Sequence, residues 1–274
     1  MAETRAAGSS GAATPADPHA SDHEAGLRHV EIVMGTAVSI DVRSGRLADG
    51  VLDRVLAHLH DIDARFSTYR SDSEISRIAD GWLAEPDASP DVRFILGLCD
   101  DLARTTDGFF DARGHRADGR LDPSGVVKGW AIDEAAWMLE AAGATALSVN
   151  GGGDVVCRGG PAEGLPWRVG IRHPRERDRQ AAVLAVRDTA VATSASYERG
   201  DHILVPWTHR PPVGLLSLTV VGPSLTIADA FATAAYAMGR EGVAWVAARP
   251  GYEALGITDD DRLVWTPGMD GLLA

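Results

Sequence analysis

Two cysteines in 274 residues exclude a disulfide framework. Cys99 and Cys157 have no metal-ligand spacing, so packing in a reducing compartment is their expected role. Long apolar runs are missing too. No stretch reaches transmembrane length, and residues 1–27 contain no apolar core of the kind a signal peptide needs. Both absences point to a soluble, cytoplasmic protein with no membrane span. Basic charge is scarce: 26 Lys and Arg face 39 Asp and Glu, a net −13 that argues against a nucleic-acid surface and against anionic membranes. The chain also lacks a nucleophile elbow with its triad, HExxH, CxxC, GxGxxG and the P-loop spacing, so serine-hydrolase, zinc and Rossmann readings have no support. Oxygen ligands with a divalent cation remain. Such a cation would supply the counter-charge that a phosphate ester needs in so acidic a chain.

What is present is a globular composition, 45% hydrophobic and 24% charged. Residues 1–27, rich in Ala, Gly, Ser, Pro and Asp, read as a disordered tail, and residues 28–274 as the folded domain. Alternating residues from His29 and again from Ala37 predict a hairpin or a kinked strand pair about Met34-Gly35-Thr36. Apolar residues at Val51, Val55, Leu56, Leu59, Ile62 and Phe66 predict a helix ending before the polar segment Ser67 to Glu74. Further helices are expected over Pro90–Thr105, Gly129–Gly143, around Asp229, and over Glu241–Ala248. Between them run closely spaced strand-like pieces: Ala146–Asn150, Gly153–Cys157, Trp167–Ile171, one from Ala181, Val191–Ser194, His202–Val205 and one from Leu215. A last strand pair is expected between Ala254 and Trp265. Spacing this short leaves no room for crossover helices, so the strands should pair antiparallel within an α+β domain flanked by helices.

Asp229 and Thr233, four residues apart on one helix face, can present two oxygens to a small hard cation such as Mg2+. Thr226 and Asp229 equally fit a capping box, which leaves both readings open. Asn150-Gly-Gly-Gly-Asp154 is either a plain hairpin turn or a place where ligand lies on backbone. Leu121-Asp-Pro-Ser-Gly-Val-Val-Lys-Gly129 sets Asp122, Gly125 and Lys128 beside a helix start, where phosphate is favoured, although an ordinary loop with a solvated Lys128 fits as well. Tyr69 and Phe109-Phe110-Asp111 offer aromatic faces and a carboxylate for a flat heterocycle, or simply core and turn. His202 is a structural histidine or a base.

In order along the chain, these pieces resemble the ApbE family of FAD:protein FMN transferases. The resemblance runs through Met34-Gly-Thr36, Phe66 to Arg77, Gly108-Phe-Phe-Asp111, Asp122 to Asp133, Val149 to Asp154, Thr193 to Arg199, His202 to Pro206 and Asp229 to Thr233. It implies an ApbE-like, T-fold-related α+β domain that takes FAD as substrate and uses Mg2+ to activate its pyrophosphate. FMN would pass to a threonine hydroxyl of an acceptor flavoprotein, with release of AMP. Carried onto this chain, Asp229, Thr233 and Gly125 would hold the metal. Met34, Tyr69, Phe109, Phe110, Asp111, Asp122, Lys128 and the His202-Ile203 strand would contact FAD; the threonine must also lose its proton, for which Asp229 or His202 is the candidate catalytic acceptor. Val205 departs from the family pattern, which usually has Asp there, and Ala79 replaces an Asn. Two alternatives keep the site: a Mg2+-dependent FAD pyrophosphatase giving FMN and AMP, and a flavin-binding module without turnover.

Overall fold

In the computed structural model, residues 26–113, 118–195 and 203–274 are described. An eight-stranded antiparallel sheet is built from β1 (Leu27–Val33), β2 (Thr36–Gly45), β3 (Ala144–Gly151), β4 (Asp154–Arg158), β7 (Thr189–Ala195), β8 (Leu215–Gly222), β9 (Glu253–Thr258) and β10 (Leu263–Trp265), in that order. The strands β5 (Trp167–Arg172) and β6 (Gln180–Val186) form a separate hairpin between β4 and β7. All pairings are antiparallel, as the short spacings require.

The period of two sorts the sheet's side chains into two clusters. On one face Val38, Ile40, Val149, Val156, Ala192 and Val220 pack against helices α1 (Val51–Phe66), α4 (Ser124–Ala141) and α5 (Leu225–Ala237). On the other, Val155, Cys157, Val191, Leu255 and Ile257 are covered by Ile171, Leu184 and Val186 of the β5–β6 hairpin and by Met269 of a C-terminal 3-10 turn. The single hairpin therefore caps a second, smaller core.

Helix α1 buries Val51, Val55, Leu59, Ile62 and Phe66 of its expected stripe, while Leu56 is only partly buried against the same core. Helix α3 (Pro90–Thr105) also spans its expected residues, with Pro90 at its first position. Helices α4 and α5 are buried nearly all round, as helices between a sheet and other helices must be. They approach closely because α4 carries Gly129: a Cβ there would fall 2.7 Å from Leu225 O. A last helix, α6, covers Glu241–Ala247.

Three expectations need correction. Helix α4 begins at Ser124 rather than Gly129, because Asp122 Oδ1 accepts the Ser124 amide at 3.0 Å and Pro123 supplies a fixed lead-in. An additional helix, α2 (Glu74–Ala79), starts where the polar segment ends, with Ser73 Oγ accepting the Ser76 amide at 3.0 Å and Ile75 buried. The described part of the expected His202–Val205 strand is no strand: Val205 only bridges to Arg210 across a turn in which His209 has φ of 49°.

Candidate functional site

Helices α4 and α5, the ends of β3 and β7, and the loop before β8 enclose a cavity of about 540 Å3. Of the residues singled out from the sequence, Phe109, Phe110, Asp111, Asp122, Gly125, Lys128, Ile203, Asp229 and Thr233 line it. Met34 does not, but its neighbours Gly35 and Thr36 do, and it occupies the hairpin turn with φ of 53°. A two-residue turn of this kind requires positive φ at both positions, a conformation Gly35 takes freely and Met34 does not. Tyr69 is 93% exposed and is not part of the lining. His202 lies outside the described residues.

The charged centre is Lys128, the only lysine in the chain. Its ammonium contacts Asp154 Oδ2 and lies 3.4 Å from Asp229 Oδ2. Asp154 is nearly sealed, with 3% side-chain exposure, and its Oδ1 accepts the Thr193 amide at 2.8 Å. The formal charges of this cluster, two carboxylates and one ammonium, leave one negative charge. That excess suits a bound cation. The Thr233 hydroxyl, one turn after Asp229, is 3.4 Å from Ser194 Oγ, and a Cβ on Gly125 would come within 3.8 Å of Thr233 Oγ1. Asp229, Thr233 and the backbone at Gly125 thus fit a hard cation that prefers oxygen. Among the described residues no three His, Cys, Asp or Glu side chains cluster in a way that could hold a metal.

The capping reading of Asp229 does not hold. Helix α5 starts at Leu225, its N-cap is Ser224, and Asp229 sits beyond the first turn. The end is capped from outside by Asp133 of α4, which accepts hydrogen bonds from Ser224 Oγ at 2.9 Å, Leu225 N at 3.1 Å, and Thr226 N and Oγ1 at 2.8 and 2.7 Å. The same helix therefore carries Lys128 toward Asp229 and fixes the α5 terminus that sets Asp229 in place. Asn150-Gly-Gly-Gly-Asp154 is a hairpin turn that borders the cavity. Gly152 (φ 65°) and Gly153 (φ 105°) turn the β3–β4 hairpin, Asn150 Oδ1 accepts the Gly153 amide at 3.1 Å, and Gly152 lines the cavity.

Asp154 and Asp133 were both inside recognised motifs but carried no role, since their partners are distant in sequence. Lys128 carries a compositional signal: it is the one lysine among 26 Lys and Arg, all the rest being arginine. Arg172 and Arg177, which also line the cavity, come from the β5–β6 hairpin, and no motif pointed to them. The cysteines take no part. Both are buried, and burial pushes the Cys99 thiol up to about 12 and the Cys157 thiol up to about 11. No described helix is long and apolar enough to cross a membrane.

Residues 34–115 and 112–256 match the model of the ApbE family. Among curated relatives, the FAD:protein FMN transferase of Escherichia coli K12 is 34% identical over 150 residues, covering 51% of this chain and 43% of the relative. The FAD:protein FMN transferase of Rhodobacter capsulatus is 38% identical over 159 residues, covering 55% and 30%. The chain thus spans less than half the length of these relatives. The flavin transferase ApbE from Vibrio cholerae superposes with a TM-score of 0.80 at 25% identity, covering 90% of this chain and 99% of that one. The ApbE protein of Thermotoga maritima shares the fold, with a TM-score of 0.77 at 22% identity over 91% of this chain and 99% of that one.

Proposed function

The chain belongs to the ApbE family, and from that premise we propose that it transfers FMN from FAD to a threonine hydroxyl of an acceptor flavoprotein, releasing AMP. The observation that carries the proposal is the grouping of Lys128, Asp229 and Thr233 on the wall of a cavity large enough for a dinucleotide's reacting centre, with the buried Asp154 holding Lys128 from behind.

In this reading Asp229, Thr233 and the Gly125 carbonyl hold Mg2+. The ion, when bound, neutralises pyrophosphate charge and stabilises the leaving AMP. Lys128, anchored by Asp154, adds a fixed ammonium beside the phosphates without swinging into solvent. Phe109, Phe110 and Ile203 supply the apolar wall for the flavin ring, while Asp111 and Asp122 supply acceptors for polar ring groups. The backbone strain at Met34, beside two lining residues, is of the kind that persists at ligand-contacting turns. In the chemical step the threonine Oγ attacks the phosphorus of the FMN half. The bond from that phosphorus to the bridging oxygen breaks, AMP leaves with the electron pair, and the hydroxyl proton passes to Asp229 or His202. The pH profile of H202A tests His202 as that base: a lost acidic limb assigns the proton to His202, and an unchanged limb leaves it with Asp229.

The experiment is incubation with FAD, Mg2+ and an acceptor protein bearing the target threonine, followed by intact mass and AMP analysis. FMN mass on the acceptor with equimolar AMP is the expected result. FMN and AMP appearing free, with the acceptor unmodified, would establish the pyrophosphatase instead. FAD retention with no AMP would establish the binding module.

A further inference from the structure

The turn joining β5 to β6, His173-Pro-Arg-Glu-Arg-Asp-Arg179, is braced at both ends. The His173 amide donates to Arg179 O at 2.8 Å, and the Arg179 amide to Glu176 O at 3.0 Å. The His173 ring is buried, and its Nδ1 accepts the Arg175 amide at 3.3 Å. Arg175 is taken up by the Asp261 carboxylate and by Asp259 O at 2.8 Å, and Arg179 by Glu176 at 2.7 Å. Between these two engaged arginines stands Arg177. It makes no hydrogen bond or ion pair with any described residue, and it lines the cavity together with Arg172 at the end of β5.

A chain of net charge −13 has thus built a rigid turn that brings two guanidinium groups to the same cavity as Lys128. Lys128 is already shared by two carboxylates, so it does not by itself offset the charge of an incoming anion. Guanidinium groups suit phosphate because their planar fork makes paired hydrogen bonds and always carries charge. We propose that Arg172 and Arg177 are specificity-determining residues that bind the pyrophosphate of the dinucleotide and so favour FAD over unphosphorylated flavin. The choice of FAD rests on the function proposed above; the recognition of a diphosphate rests on the arginines themselves.

The test measures binding of FAD, ADP and riboflavin to the wild-type protein, R177A, R177K and the double variant R172A/R177A. Charge-assisted hydrogen bonds of this kind predict a loss of about ten- to a hundredfold in FAD and ADP affinity in R172A/R177A. R177A should show part of that loss, R177K a smaller one, riboflavin affinity should stay unchanged, and the melting temperature of R177A should match wild type because the side chain is exposed. FAD and ADP affinities that ignore both arginines would overturn the proposal, and a raised KM for the acceptor alone would assign them to the acceptor instead. The two readings fail separately. Arginine-dependent ADP binding without FMN transfer would sink the transferase, whereas FMN transfer with arginine-independent FAD affinity would sink the clamp.

Discussion

Lys128 shows how a residue's chemistry is set by what it is packed against. A lysine ammonium is a compact charge that can sit between two carboxylates, whereas an arginine fork in the same space would need planar access to one of them. Asp154 is the sealed partner, so removing it leaves an ammonium facing Asp229 alone. We expect D154A to lower the unfolding free energy by about 3 kcal/mol, read by urea titration, and to abolish transfer activity. Since Lys128 is the sole lysine, amine-directed reagents have one side-chain target besides the N-terminus. Trinitrobenzenesulfonate should label it slowly in the free protein, and FAD should suppress labelling further, as followed by peptide mass. Equal labelling with and without FAD would separate Lys128 from the ligand.

At the scale of elements, the site depends on how α4 meets α5. Gly129 lets the helices touch, and Asp133 ties the α5 terminus to α4 through four hydrogen bonds. G129V should cost about 1–3 kcal/mol by overpacking. D133N keeps shape but loses charge and acceptor capacity, and should cost about 1–3 kcal/mol. Because it loosens the face carrying Asp229 and Thr233, D133N should raise the Mg2+ concentration needed for half-maximal FAD binding. A merely structural Asp133 would lower stability and leave that concentration alone. Much at this scale was legible in the sequence. The stripe of α1 and the span of α3 follow from apolar spacing and from Pro90, and the antiparallel pairing follows from the short gaps between strands. What was not legible depended on partners far along the chain. The early start of α4 comes from the Asp122 turn, α2 exists because Ser73 caps it against a buried Ile75, and the terminus of α5 is capped by a residue 91 positions from Ser224. The Asp229 and Thr233 face was visible as a four-residue step, but the carboxylate and ammonium that complete it came together only through the sheet.

For the whole molecule, two packed faces of one sheet create a buried interior with few ionisable groups, and those few shape its response to pH. In the folded protein burial pushes Cys99 up to about 12, Cys157 up to about 11 and Tyr252 up to about 12, from ordinary values of 9.0, 9.0 and 10.0. Between those limits the folded chain holds protons that the unfolded chain has lost. Stability contributed by these groups is therefore complete below about pH 9 and declines as pH rises. The urea midpoint should fall between about pH 8 and about pH 10.5, and C99A/C157A should flatten that decline once its own loss of packing is subtracted. Both thiols should also resist Ellman's reagent in the native state and react on unfolding.

The same architecture places the oxygens of Asp229 and Thr233, the single lysine and the rings of Phe109 and Phe110 around one cavity, and the chemistry proposed for it stands on their acting together. The deciding measurement is intact-mass analysis of a threonine-bearing acceptor flavoprotein after incubation with FAD, comparing wild type with and without Mg2+ and the D229N/T233A variant. Wild type with Mg2+ should add one FMN to the acceptor for each AMP released, with neither product formed without the metal or by the variant. An acceptor that gains FMN equally well without Mg2+ or with D229N/T233A, or that never gains it from wild type, would contradict the assignment.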